Sequence, residues 1–410
     1  MTRRFNQAYA FLPFILLIQL YPSKVVYAQD LGDKSPKELR IASATASVAS
    51  ETAMFDSVRF VPLETVKASE FRQISKLLVM KDRYIILDES LDIVLLFDRN
   101  GRFINKIATN NKDLPDPFQD IYNLAVNHAE RTIACSFAEP HKVVCYFDFE
   151  GRFLRKEDVK ARIQETVFFN NLEIRYYRYR TELTEPKDGL FPNIEVFDRK
   201  TRQRTNANLY FDTARMDYRD ELFGIKRYFY PSGQNHLFFT QPYNYTIYEL
   251  LPSGILTERY RIILPLENSL PTDFLSDSSY DGHRKEYIHT NSTTKYVPNR
   301  VYYFLNVYQA GDWLTFQMTA GNALLYHLET NDLYDFSHIE LSNWGFPSTP
   351  HTRKILAVDG NALITNVDFK TIKRFYEDNP DDDRLRIADL KRFLQKSFRN
   401  PILQFSYLKQ

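Results

Sequence analysis

The sequence predicts an all-β fold: a six-bladed β-propeller whose ring is closed by strands from both ends of the chain. Three observations carry this. A short pattern recurs every fifty residues, as Phe97-Asp98-Arg99-Asn100-Gly101-Arg102-Phe103, as Phe147-Asp148-Phe149-Glu150-Gly151-Arg152-Phe153, and more loosely as Phe197-Asp198-Arg199 with Thr201-Arg202. A fixed period of that length marks a repeat architecture. Apolar, β-rich runs of strand length flank each copy, and three or four short strands per period form a sheet that buries both faces only when neighbours stack on it.

In the first blade, Tyr84 to Leu87 and Ile93 to Phe97 are strands, Asp98 to Gly101 is a tight turn, and Phe103 to Ile107 begins the next strand. The second repeats this with Thr132 to Phe137, Val143 to Phe147 and Phe153-Leu154; the third is marked by the Phe197 copy. Later blades keep the logic and lose the letters. His236 to Phe239 and Thr246 to Leu250 lead into a turn at Pro252-Ser253-Gly254 and then Tyr260 to Leu264, a fourth blade. Tyr302 to Val307, Trp313 to Met318 and Ala323 to Leu328 form a fifth. A sixth combines Lys354 to Val358, Ala362 to Thr365 and Ile402 to Leu408 with the N-terminal strand Val58 to Leu63, which removes the free sheet edges.

Four segments also carry a family resemblance that covers nearly the whole mature chain. They are Phe60-Val61-Pro62-Leu63-Glu64-Thr65, the blade from Ile85-Ile86-Leu87-Asp88 to Phe97-Asp98-Arg99-Asn100-Gly101, Asn244-Tyr245-Thr246-Ile247-Tyr248, and Asn400-Pro401-Ile402-Leu403. Their order and spacing resemble the NHL-like six-bladed β-propeller proteins exported by Bacteroidetes-type bacteria, a family mostly without assigned function. Many of those relatives are lipoproteins. This chain has no cysteine near its start, so it is not expected to be one.

Residues 1–28 read as a signal peptide: Arg3 and Arg4, then the apolar stretch Ala8 to Leu20, then Val26-Tyr27-Ala28 before the cleavage point. That apolar stretch is shorter than the roughly 20 residues of a spanning helix, and no later segment approaches spanning length. The mature protein is expected in the periplasm or at the cell surface. Residues 29–55 are small and weakly patterned and read as a tether, which leaves 56–410 as the propeller. With 53 basic and 52 acidic residues, the balance argues against nucleic acid and against a strongly charged membrane surface as partners.

Cys135 and Cys145 are the only cysteines and fall on strands joined by a turn near Pro140. Centred on Pro140, that turn sets them opposite each other as a disulfide candidate; a register shift of one sends them to opposite faces. His141 in the same turn reads as a solvated side chain.

Chemistry is less legible. The run from Glu377 to Asp383 is dense in carboxylates but lacks the ligand spacing and turn glycine of a calcium loop. It reads more simply as the acidic start of a helix over 383–396, so neither cofactor nor metal is expected, with calcium the weaker alternative. Arg175 and Tyr177 alternate onto one strand face, opposite Tyr176, Arg178 and Arg180, and could hold an acidic ligand or a glycan; the plainer reading is a half-exposed strand. An insertion over 276–300 carries His283, Tyr287 and His289. The two histidines are six apart with no helical pattern around them, so they lack a helical metal spacing, but long insertions are often partner or ligand surfaces. The turn Trp344-Gly345-Phe346-Pro347 reads as core packing between blades.

Two classes of function follow. The family resemblance implies a non-catalytic scaffold that uses loops on one face to bind an envelope protein, a peptide or a glycan. The alternative is a lactonase-like, metal-dependent hydrolase or lyase, with an ion held at the channel mouth by Glu, Asp, Asn or His from several blades. Convergent carboxylates and imidazoles at the mouth would favour the enzyme.

Overall fold

The computed structural model describes residues 35–108, 114, 121–137, 142–159, 163–213, 227–232, 236–289, 300–319, 321, 323–339, 354–378 and 400–409. The expected signal peptide, the turn holding His141, the expected helix over 383–396 and the Trp344 turn lie outside the described residues, as does the acidic run beyond Asp378.

The chain opens with β1 (Lys37–Arg40), the short α1 (Glu51–Met54) and β2 (Phe55–Pro62). Blade one is β3 (Lys76–Val79), β4 (Arg83–Asp88), β5 (Ile93–Asp98) and β6 (Phe103–Ala108); blade two is β7 (Ile121–Asn127), β8 (Thr132–Phe137), β9 (Val143–Asp148) and β10 (Phe153–Asp158). Blade three is β11 (Glu165–Phe169), β12 (Leu172–Tyr176), β13 (Phe191–Asp198) and β14 (Arg204–Phe211). Blade four is β15 (Phe229–Ser232), β16 (His236–Phe239), β17 (Thr246–Leu250) and β18 (Leu256–Ile263), followed by the helix α2 (Arg284–His289) in the insertion. Blade five is β19 (Phe304–Ala310), β20 (Trp313–Met318), β21 (Ala323–His327) and β22 (Leu333–Asp335). Blade six begins with β23 (Ala357–Asp359) and β24 (Ala362–Val367), passes through α3 (Phe369–Asp378), and ends in β25 (Ile402–Leu408), against which β2 pairs as its fourth strand.

The recurring pattern is a turn in which an aspartate closes the hairpin. Asp98 Oδ1 accepts from the amides of Asn100 and Arg102, both at 2.8 Å, and Asp148 Oδ1 accepts from Glu150 and Arg152 at 3.0 and 2.8 Å. Gly101 and Gly151 both take φ +80°, a backbone region costly to residues with a Cβ. In the looser third copy Asp198 accepts from Lys200 and Thr201, and Arg202 adopts the positive φ of 56°.

The turns of blades one, two and four also dock onto the outer edge of the blade before. Glu64 donates its amide to Gly101 O at 2.8 Å, Asn105 Nδ2 donates to Glu150 O at 2.8 Å, and Asn206 Nδ2 donates to Gly254 O at 3.1 Å. Three of the four segments that carry the family resemblance meet at the closing seam. Asn400, fully buried, donates to the carbonyls of Glu64 and Ser69 at 2.9 Å each and accepts from Phe71 N. Asp88 accepts from the amides of Arg72 and Gln73 as the chain turns towards β3.

Two expectations need correction. Part of the expected tether is folded: β1 adds a parallel fifth strand to blade four, burying Leu39 and Ile41. The insertion does contain a helix, α2, ending at His289. A helix near the C-terminus is present as expected, in α3.

Apolar clusters fill the wedges between blades. Ile85, Leu124 and Phe147 join blades one and two, and Ile174, Tyr176, Phe239 and Leu250 join blades three and four. Among the described residues, the wedge between blades two and three holds a smaller cluster, of Ala125, Ala134 and Tyr146 with Val144 and Phe168 beside it. Arginines complete that interface. Arg155 lies 3.8 Å over the ring of Tyr146, Arg175 4.5 Å over Phe197, and Arg199 4.4 Å over Phe168.

Candidate functional site

Each blade is built on four antiparallel strands from axis to rim, with β1 added in parallel to blade four and β2 supplying the outer strand of blade six, so the chain returns to the axis at the same end each time. The inner strands β3, β7, β11, β15, β19 and β23 therefore run in one direction, and the residues that begin them ring one end of the channel. β7 neighbours β11, β15 neighbours β19 and β23, and β23 neighbours both β19 and β3.

Charged residues stand at four of these starts. Lys76 and Glu165 are the first residues of β3 and β11, Arg227 precedes β15, and Lys354 precedes β23. The Lys76 ammonium reaches the Glu165 carboxylate at 3.0 Å, joining blades one and three. Glu165 is fully buried and also accepts from the amides of Tyr228 and Phe229 at 2.6 and 3.0 Å. Burial holds Lys76 below its usual value; Glu165 opposes that shift and the Arg227 charge adds to it.

Arg227 is framed by aromatic rings and carbonyls. Its guanidinium lies 5.1 Å from the Tyr230 ring and 5.5 Å from the Tyr308 ring, and it donates to Phe229 O and Leu356 O at 3.4 Å each. Its own carbonyl accepts from the Tyr303 and Tyr230 hydroxyls at 2.7 and 2.9 Å, and Tyr308 donates to Leu356 O at 2.6 Å. These bonds tie blades four, five and six around the guanidinium. Lys354 is reached by solvent, yet the protein crowded about it lowers its pKa by desolvation, with Arg227 adding to the shift and Glu89 opposing it. Among the described residues, neither Arg227 nor Lys354 forms an ion pair within 4.0 Å. Nor do three of His, Cys, Asp and Glu converge anywhere among the described residues. Among the described residues the mouth is cationic and aromatic, and its buried carboxylate, Glu165, is already held by three donors.

The residues expected to bind a ligand lie elsewhere and do not come together. Arg175 and Tyr177 share a face in the wedge between blades two and three. Arg175 donates to Glu173 at 2.7 Å, and Tyr177, only 2% exposed, donates to Glu195 at 2.7 Å. The alternation expected beyond them breaks, because Arg178 and Tyr179 take positive φ of 50° and 61°. Tyr177 is buried in the wedge, while the Arg175 side chain keeps 34% of its surface exposed.

The insertion is a folded cap with its own centre. Arg284, 1% exposed, donates to Phe274 O at 3.2 Å and to Asp281 at 2.7 Å. The rings of Phe274, Tyr280 and Tyr287 pack at 5.0 to 5.5 Å, and Arg300 lies 4.1 Å over Tyr287. His283 is exposed beside Glu286, while His289 is half-buried at the end of α2. Cys135 and Cys145 occupy directly opposed positions on β8 and β9, both as buried free thiols.

The mouth residues went unrecognised in the sequence because Lys76, Glu165, Arg227 and Lys354 are scattered along it. A usable signal was a charge at, or within three residues before, the first strand of a blade.

Residues 38–406 match a family described as a domain of unknown function, DUF4934. No curated protein matches the chain. Among solved structures, a Bacteroides fragilis protein described as a candidate exported protein is similar over 92% of this chain and 100% of its own, with a TM-score of 0.65 at 15% identity. That likeness establishes the propeller fold. The WD40 repeats of RRP9 match more distantly, with a TM-score of 0.41 at 10% identity over 89% of this chain and 100% of theirs. Among the described residues no helix is long and apolar enough to cross a membrane.

Proposed function

The chain belongs to the DUF4934 family, and from that premise we propose that it is an exported, non-catalytic propeller of the cell envelope, periplasmic or surface-displayed, that acts as a binding scaffold for an envelope protein, a peptide or a glycan. One observation carries the reading: the channel mouth presents Arg227, Lys354 and a wall of tyrosines, groups that recognise and hold a ligand, and its one fully buried carboxylate, Glu165, is engaged by Lys76 and two backbone amides. A general base or a metal-bound water needs an accessible acceptor. The Bacteroides fragilis likeness supports export.

Cross-linking in intact cells tests the scaffold. A photo-reactive residue placed beside the mouth should yield one dominant adduct, while the same probe in the wedge between blades two and three should yield none. Equal, diffuse labelling at both positions would overturn the reading. Metal analysis of the purified protein, with melting before and after a chelator, tests the enzyme alternative: a stoichiometric ion whose removal lowers the melting temperature would favour it.

A further inference from the structure

We propose that the channel mouth is a carboxylate-binding site, in which Arg227 and Lys354 receive a single carboxylate carried by an acidic sugar or by the free end of a peptide; this rests on the binding-scaffold reading above.

The charge count comes first. Among the described residues, three cations, Lys76, Arg227 and Lys354, gather at the starts of the inner strands, with the carboxylates of Glu165 and Glu89 near enough to act on them. Glu165 is committed to Lys76 at 3.0 Å, so its charge is spent on the floor of the site. Among these described groups the cations outnumber the carboxylates, and Arg227 and Lys354 are left without a close counter-charge. Cations gathered where solvent is restricted repel one another, and a bound anion relieves that cost.

Geometry supplies the second argument. A guanidinium presents five N–H donors in a plane, and the two bonds of Arg227 to carbonyls, each at 3.4 Å, are long. Tyr230 and Tyr308, their rings 5.8 Å apart and nearly perpendicular, support it from one side without accepting its N–H bonds. An arginine fixed in this way is preorganised for a two-point bond to a planar carboxylate. Lys354, at the start of blade six and open to solvent, adds a second positive charge at the rim.

Calorimetric titration of the mature protein with glucuronate and with N-acetyl-dialanine tests this, using glucose and N-acetyl-dialanine amide as uncharged partners and inorganic phosphate as a second anion. At least one carboxylate should bind at millimolar concentration and its uncharged partner should not; which of the two binds identifies the source. Arg227→Gln should weaken binding at least tenfold. It leaves the backbone carbonyl that holds Tyr230 and Tyr303 in place. Lys354→Gln, at a solvent-exposed position, should weaken binding severalfold and keeps the test decisive if the first variant does not fold. No binding of either carboxylate, tighter binding of phosphate, or unchanged binding in a folded Arg227→Gln protein would overturn the proposal. If cross-linking still captures a single partner at the mouth of Arg227→Gln, the carboxylate site fails and the scaffold stands. If carboxylates bind and nothing is captured, the site stands and the scaffold fails.

Discussion

Gly101 and Gly151 occupy the same place in successive copies of one turn and share φ +80°, yet alanine should cost very different amounts at the two. The shared part is backbone strain: a Cβ in the left-handed region costs about 1–2 kcal/mol. At Gly151 the nearest atom to an added Cβ is Asn105 Nδ2 at 3.1 Å, the end of a side chain that can shift by a few tenths of an ångström. At Gly101 the same Cβ would lie 1.9 Å from Pro62 O, a backbone atom of the strand that closes the ring. Relieving that overlap means moving β2 by about 1 Å or more. The move endangers the bonds from Glu64 N to Gly101 O and from Phe103 N to Glu64 Oε2, both at 2.8 Å. A neutral hydrogen bond contributes about 0.5–1.5 kcal/mol and one to a charged group about 1.5–3, so Gly101→Ala should cost about 3–6 kcal/mol against about 1–2 for Gly151→Ala. Urea unfolding of both variants, followed by circular dichroism, gives the comparison. Equal losses within about 0.5 kcal/mol would show that the seam yields, and would refute the claim that this glycine is required by ring closure.

Three further outcomes are expected. Glu165→Gln leaves the Lys76 ammonium buried without its counter-charge and should cost about 3–5 kcal/mol in urea unfolding, while the double replacement Lys76→Met with Glu165→Leu should recover much of that loss. Buried tyrosines make the fold alkali-sensitive: burial pushes Tyr302 up to about 12 and Tyr303 well above its usual value of 10.0. Below pH 10 both folded and unfolded chains keep these protons; above it the unfolded chain loses them first, so stability should fall between about pH 10 and 12, with the buried tyrosines' share of the phenolate absorbance rising only as the protein unfolds. The opposed register of β8 and β9 allows Cys135 and Cys145 to bridge in an oxidising compartment, so protein taken from the envelope should show no free thiol after denaturation, and replacing both by serine should cost about 3 kcal/mol. Two reactive thiols on denaturation would mean that the pair stays reduced; in the native state burial, which pushes Cys145 up to about 12, should block thiol reagents either way.

What was legible in the sequence were the outer parts of the blades, because the Asp98, Asp148 and Asp198 turns write their chemistry locally: an aspartate, two amides and a residue at positive φ lie within five positions. Ring closure was legible too, since Val58 to Leu63 and Ile402 to Leu408 are apolar runs left without partners inside any complete blade, and the structure pairs β2 with β25. The inner strands were harder. Lys76–Val79, Glu165–Phe169 and Phe229–Ser232 are four or five residues long and begin beside polar channel groups, so they lack the alternation that identifies a half-buried strand. Missing them also hid the mouth, because its residues become neighbours only when the starts of the inner strands are aligned. The setting of Arg175 was hidden for a related reason. Alternation showed which residues share its face but not that the face is the wedge with blade two, where arginines over aromatic rings supplement a small apolar cluster.

The division of labour within the repeat follows from these contacts. The conspicuous residues of each turn are consumed by the scaffold: the aspartate satisfies its own hairpin, the glycine lets a neighbour approach, and the asparagines of the outer strands fasten one blade to the next. The segments that carry the family resemblance are consumed in the same way, with Asn400 and Glu64 at the seam and Asn244 holding Thr246 N at 2.8 Å. Resemblance built on such residues reports how the ring is made and leaves ligand choice to positions it does not constrain. The starts of the inner strands are such positions. The hairpin bonds do not use their side chains, and each projects from a different blade towards a shared axis, so a change at one start alters the mouth without disturbing a turn. The Lys76–Glu165 pair and the tyrosine-flanked Arg227 are therefore where the specificity of this propeller should be sought.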